Sequence, residues 1–226
     1  MVRYIQRHSA FARGLHWIHT IACLSLFATG LILFIPSVAA AVGTATVQGA
    51  RMVHRVMAVI FIVAPIASMI ISPKGFVHLW KSLFFKWDAD DKEFMKKFFP
   101  YLLFGAKQHM PPQKINKSGQ GAVDGVLIFA SVFIALTGVV LWWPEFFGGP
   151  TSGLFQWSLA LHSGLMILIG IIMLAHIYLG AGIFQPYKGS GKLMFGNGRV
   201  TESDALYHWG HWAKDELKKG DNVIVE

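Results

Sequence analysis

Four long apolar runs, separated by segments in which charge is concentrated, organise the chain. Crossing the hydrocarbon core of a bilayer as a helix takes about 20 predominantly apolar residues. The first run extends from Trp17 to Ile35 and stops at Pro36-Ser37, and the second extends from Val56 to Ile71 and stops at Ser72-Pro73. The third covers Val126 to Trp143 and ends at Pro144, and the fourth, Leu154 to Phe184, contains no Asp, Glu, Lys or Arg. With their flanks they predict transmembrane helices over about 15–36, 54–72, 122–143 and 154–184, and so an all-α four-transmembrane-helix bundle with residues 1–226 as one integral membrane domain. Trp142, Trp143 and Trp157 fall where interfacial aromatics are expected. The connection 74–121 is long, and its stretch from Asp88 to Phe104 has the amphipathic pattern of a helix lying on a membrane surface. The polar tail, 185–226, carries Trp209 and Trp212 among its charges and either lies on the surface too or contacts a partner subunit. No repeat or low-complexity segment stands out. The first run is too long for the apolar part of a cleavable leader, with only a weak cleavage motif at Ser37-Val38-Ala39, so it reads as a retained helix.

Composition agrees with lipid as the solvent: 54% of the residues are hydrophobic and 14% charged, against roughly 25% charged in soluble domains. The net charge of +8 raises nucleic acid as a partner, but its distribution points to an orientation signal instead. Arg3, Arg7 and Arg13 precede the first helix, nine lysines from Lys74 to Lys117 occupy the central connection, and Lys188, Lys192, Arg199, Lys214, Lys218 and Lys219 are in the tail. Four spans put all of these on one side, leaving Arg51 and Arg55 on the other. The positive-inside rule then makes both termini cytoplasmic in a bacterial inner membrane. The single cysteine, Cys23, lies in an apolar run, which excludes a disulfide framework and a cysteine-based zinc or iron–sulfur site.

Four of the ten histidines fall at the ends of the spans, where ionisable side chains are costly and read as functional. Following the chain through the membrane puts His16 at the depth of His176, and His54 at the depth of His162. His162 and His176 are 14 residues apart, which on a helix leaves them about 40° apart around the axis and about 21 Å apart along it. One helix can therefore offer an imidazole to each of two stacked haems, with the first two helices supplying the opposite axial ligands. His19, on a neighbouring face, competes with His16. His8, His78, His109, His208 and His211 are in polar segments where solvated histidines are the norm. Without a Cys-x-x-Cys-His motif, any haem is bound non-covalently, as b type. Gly30 and Gly138 fall near the outer level and Gly125 near the inner one, where a missing side chain gives room for a flat macrocycle or for ordinary helix packing. A metal-ion transporter would need acidic residues and broken helices near the midplane, but only Asp124 sits near a span and Pro65 is the one obvious interruption. A haem-free membrane anchor would not need histidines at matched depths.

Arg13-Gly14-Leu15-His16-Trp17, Val53-His54, Thr137-Gly138-Val139-Val140-Leu141-Trp142 and the segment from Ser158 through His162 to His176-Ile177-Tyr178 carry a resemblance over nearly the whole chain. The chain resembles the gamma subunit of membrane-bound formate dehydrogenases and, more broadly, the di-haem b cytochromes of respiratory hydrogenases and thiosulfate reductases. The resemblance implies two haem b groups, the outer held by His54 and His162 and the inner by His16 and His176. It also implies an iron–sulfur beta subunit, a molybdopterin (Mo or W) alpha subunit, assembly as a trimer of heterotrimers, and electron delivery to menaquinone or a similar quinone at the cytoplasmic face. The family's quinone motif, Asn-x-Gly-Gln-Lys, is similar to Asn116-Lys117-Ser118-Gly119-Gln120-Gly121, with one extra residue and with Gly121 in place of the lysine. Asn116, Gly119 and Gln120, together with His176, are the quinone-binding residues this implies; a polar cap on the third helix is the other reading of that stretch. Arg55 stands where relatives often have proline, placed to pair with a haem propionate or with lipid headgroups.

Overall fold

A computed structural model describes residues 1–83, 87–104, 109–185 and 187–226, with backbone alone at 78, 79 and 81–83. Lys86 and Lys107, and the side chains of His78 and Lys81, lie outside the described residues. Among the described residues four helices are long and apolar enough to cross a membrane: α1 (Ala10–Phe34), α2 (Pro36–Ile71), α5 (Ser118–Trp142) and α6 (Gly153–Gly180). Between the second and third of these lie α3 (Pro73–Leu83) and α4 (Ala89–Phe104). The tail holds α7 (Lys192–Phe195), α8 (Glu202–His208) and α9 (Gly210–Lys219).

Local chemistry sets the helix ends. The Ser9 hydroxyl caps α1 by accepting from the Ala12 N–H at 3.1 Å. Pro36 opens α2 at a position where its missing N–H costs nothing. The second helix starts well before the apolar run that predicts it, near residue 54. Ala39, Ala40 and Ala41 favour a helix, while Thr44, Thr46, Gln48 and Arg51 dilute the hydropathy that marks a span. Gly43, at φ 79° and ψ 163°, interrupts the helical geometry inside α2.

The chain divides into two compact units. One comprises 14–76 and 126–173, the larger part of the apolar helices. Within it α1 and α6 pack closely: a Cβ on Gly170 would fall 2.4 Å from Phe27 Cε2, so only glycine fits there. Cys23 Sγ lies 3.9 Å from Met173 Sδ in the same contact.

The other unit gathers 1–13, 77–125 and 174–226. It contains a three-stranded antiparallel sheet absent from the all-α expectation: β1 (Arg3–Gln6) lies between β2 (Arg199–Thr201) and β3 (Val223–Val225). Ile5 pairs with both Val200 and Val223, which ties the two ends of the chain together. The tail is not a surface strip. Trp209 and Trp212 join Ile5, Leu193, Val200, Ala205 and Ala213 in a buried core, because the short sheet offers an apolar face that these rings can cover.

Helix α4 is anchored on its N-terminal side by reciprocal bonds. The Asp91 N–H donates to Asp88 Oδ1, and the Asp88 N–H donates to Asp91 Oδ2, both at 2.9 Å. Its Phe94 and Tyr101 are buried, whereas Phe99, Leu103 and Phe104 are exposed, so it retains an apolar face suited to a membrane surface.

Candidate functional site

Helices α2 and α6 bring His54 and His162 face to face, with ring centroids 6.3 Å apart and planes at 55°. Two imidazoles bound to one iron from opposite sides have centroids about 6 Å apart, from metal–nitrogen bonds of about 2 Å and about 1 Å from each nitrogen to its ring centre. The pair has the span of a bis-imidazole haem site.

Two threonines fix the tautomer of these rings. Thr29 Oγ1, on α1, lies 2.9 Å from His54 Nδ1, and Thr137 Oγ1, on α5, lies 3.0 Å from His162 Nδ1. A hydroxyl has one proton to give. Thr29 gives its proton to the Ser25 carbonyl at 2.6 Å, and Thr137 gives its proton to the Phe133 carbonyl at 2.8 Å. Each oxygen therefore accepts from an Nδ1–H, which leaves Nε2 with its lone pair, the state a metal ligand needs. Each threonine precedes its histidine by 25 residues and is followed by glycine. The repeat not seen in the sequence is this pair of helical hairpins, α1–α2 and α5–α6, built to one plan.

Gly30 and Gly138 lie against these rings. A Cβ on Gly30 would meet Met166 Sδ at 3.0 Å and His54 Cε1 at 3.7 Å, and one on Gly138 would meet His162 Cε1 at 3.3 Å. Their small size admits the imidazole of the following helix. Gly125 lies within α5. Arg55, next to His54, has its guanidinium 5.3 Å from the centre of the Trp142 ring.

The remaining predicted ligands fall in different units. His16, on α1, has Trp17 edge-on at 5.5 Å. His176 is on the last turns of α6, within reach of Gly180. His19 stacks on Phe61 at 4.4 Å with planes at 26°.

Asn116, Gly119 and Gln120 share the segment that enters α5. Ser118 pins this segment from below: fully buried, it donates to Asp91 Oδ1 at 2.8 Å and its N–H donates to Gln113 Oε1 at 3.1 Å. Gly119 packs on Met95, whose Sδ would be 3.2 Å from an added Cβ. Lys114 bridges Asp88 and Asp91 at 2.7 and 2.9 Å. These bonds to Lys114 and the Asp91 N–H hold the Asp88 carboxyl down at about 2.

Two histidines expected in solvent are engaged. His211 Nε2 lies 2.8 Å from Asp90 Oδ2. His208 stacks on Tyr187 with ring centroids 5.5 Å apart, and burial pushes its pKa down to about 3, helped by the nearby Lys117 charge.

Apolar helices that present facing, pre-oriented imidazoles across a bilayer are the construction of a membrane-bound b-type cytochrome, which passes electrons across the membrane through haem b. The chain belongs to the prokaryotic cytochrome b561 family, whose family model matches residues 7–195. No curated protein matches it.

If the threonines orient the ligands, Thr29→Val and Thr137→Val keep side-chain volume and fold but weaken haem retention. Loss of such an outer partner typically costs about 10–100-fold in metal affinity. Transfer of haem to a scavenging apoprotein is expected to speed up by about that factor.

Proposed function

We propose that this cytochrome is the di-haem membrane subunit of a formate dehydrogenase complex, carrying electrons from an outer iron–sulfur subunit to menaquinone or a similar quinone on the cytoplasmic side. The observation that carries the reading is the His54–His162 pair, at a bis-imidazole span and with both Nδ1–H groups committed to threonines. In this reading His54 and His162 hold the outer haem, and His16 and His176 hold the inner one. Haem b, when bound, supplies a one-electron iron couple.

The chain's own residues orient and insulate that couple. Thr29 and Thr137 fix the imidazoles, Gly30 and Gly138 let them approach, and the apolar helices exclude water. Asn116, Gln120 and the Gly119 N–H offer donors to a quinone carbonyl beside His176. A molybdopterin alpha subunit oxidises formate outside, so the complex adds to the proton gradient when quinone takes its protons from the cytoplasm. Three such complexes assemble as a trimer. The basic residues of the termini and central connection support the cytoplasmic placement of both ends.

A reduced-minus-oxidised visible spectrum with haem quantified per chain tests this. About two b-type haems per chain are expected, with iron–sulfur and molybdopterin chains co-purifying. A colourless preparation from cells with ample haem overturns it, and co-purified hydrogenase or thiosulfate reductase chains replace the parent complex.

A further inference from the structure

Lys117, the residue immediately before α5, holds its ammonium over rings rather than beside carboxylates. Nζ is 4.2 Å from the centroid of Tyr187 and 5.0 Å from that of Trp209. Among the described residues no acidic side chain pairs with it; Asp88 and Asp91 pair with Lys114, and Asp90 lies against His211. A charged neighbour has the same sign: the Arg7 guanidinium lies 4.4 Å from the centre of the same Trp209 ring.

Three ionisable groups around it, Tyr101, Tyr187 and His208, are neutral at pH 7. Tyr101 meets Tyr187 edge-on, His208 stacks on Tyr187, and Tyr207 meets His208 edge-on. Burial raises the Tyr187 phenol to about 12, raises Tyr101 above the ordinary phenol range, and lowers His208 to about 3. Burial, and then Arg7, push the Lys117 ammonium down to about 7. The positive end of α5 works in the same direction, since the Gln120 N–H donates to the Lys117 carbonyl at 2.9 Å to open that helix. Trp209, 7% exposed, has its Nε1–H buried without an acceptor among the described residues, a donor left for a ligand oxygen.

We infer that Lys117 is a proton donor to the quinone, giving its ammonium proton to a carbonyl oxygen as the ring is reduced; this rests on the quinone reading of the segment from Asn116 to Gln120. The placement is what such a donor needs. Lys117 sits in sequence between Asn116 and Gly119, its charge is held by faces that do not compete for the proton, and a neighbouring cation favours release. Reduction of a quinone to a quinol consumes two electrons and two protons. The electrons arrive singly through the haem iron, which is the cytochrome's own activity. In one protonation a Lys117 N–H bond breaks, an O–H bond forms on the quinone, and a neutral amine remains. The amine then takes a proton from water, which also supplies the second proton.

The test follows haem reoxidation by a short-chain naphthoquinone after chemical reduction of the full-length cytochrome in membranes, from about pH 5.5 to about pH 9. The protonated form is the donor. The rate is therefore high below the Lys117 pKa and falls about tenfold per pH unit above about 7. Lys117→Arg keeps the cation over its rings but cannot release a proton. It is expected to retain haem, react about a hundredfold more slowly at pH 6, and lose the alkaline limb. Lys117→Met is expected to do the same where its haem content is normal. A Lys117→Arg variant that keeps both the rate and the limb overturns the assignment, leaving Lys117 as a packing residue. If the unmodified cytochrome neither reacts with the naphthoquinone nor shows a haem band shift with a quinone-site inhibitor, the quinone reading itself fails and takes this assignment with it.

Discussion

Alanine at His54 or at His162 is expected to remove one of the two proposed haems and to leave the other spectrally intact. In the proposed scheme the two rings, with centroids 6.3 Å apart, hold one iron. With one imidazole gone, the iron loses a strong axial ligand and the hole left behind lies among apolar helices, where water is a poor replacement. Haem content is expected to fall from about two to about one per chain in either variant. The double variant is expected to fall no further, because the proposal assigns both histidines to the same iron. Adding imidazole to a His54→Gly protein should restore the low-spin spectrum, since the cavity left there has the shape of the missing ring. Two haems per chain in both single variants would end the assignment of this pair.

The spans were legible because a bilayer imposes a length that composition cannot hide. Four runs met it, and four helices occupy them. What failed to show was structure whose signal is not hydropathy. The upstream part of α2 is alanine-rich and only weakly apolar, so it reads as a loop on a membrane scale although its residues favour a helix. The sheet was invisible for another reason. Strands β2 and β3 are three residues each, too short for an alternating pattern, and their partner β1 is at the opposite end of the chain. Once β1 is in place, Trp209 and Trp212 have a face to cover, and the tail turns from a surface strip into a core.

The site divided in a similar way. Histidine at membrane depth is costly enough to announce itself, so the facing of His54 and His162 follows from residue type and spacing. A threonine in a membrane helix is commonplace, and Thr29 and Thr137 carried no such alarm. Their signal was relational: a Thr-Gly pair followed 25 residues on by histidine, twice. Lys117 read as one more positive charge in a basic segment. Only the folded chain sets it against Tyr187 and Trp209, which are 70 or more residues distant in sequence. His208 shows the same limit, since its stack on Tyr187 forms only in the folded chain.

His176→Ala should abolish quinone reduction while the outer haem still accepts electrons. His176 lies on the same continuous helix as His162, and the 14-residue spacing returns it to nearly the same face. In the proposed scheme one helix thereby serves both levels, and cutting its inner ligand is expected to break the path between the outer haem and the quinone without touching the first step. Rapid reduction through the partner subunit should then show the outer haem filling and staying filled, with haem content at about one per chain. His16→Ala is expected to give the same result. His19 is the control that makes the comparison informative. Its ring lies flat on Phe61, an apolar contact that accounts for its place in the helix without a metal. His19→Ala should therefore keep both haems and most of the electron flow. If His19→Ala loses the inner haem and His16→Ala keeps it, the ligand moves along α1 by less than one turn and the two-level scheme survives. If His176→Ala keeps both haems, the inner level has a different ligand on α6 or none, and electrons must reach the quinone from the outer haem alone.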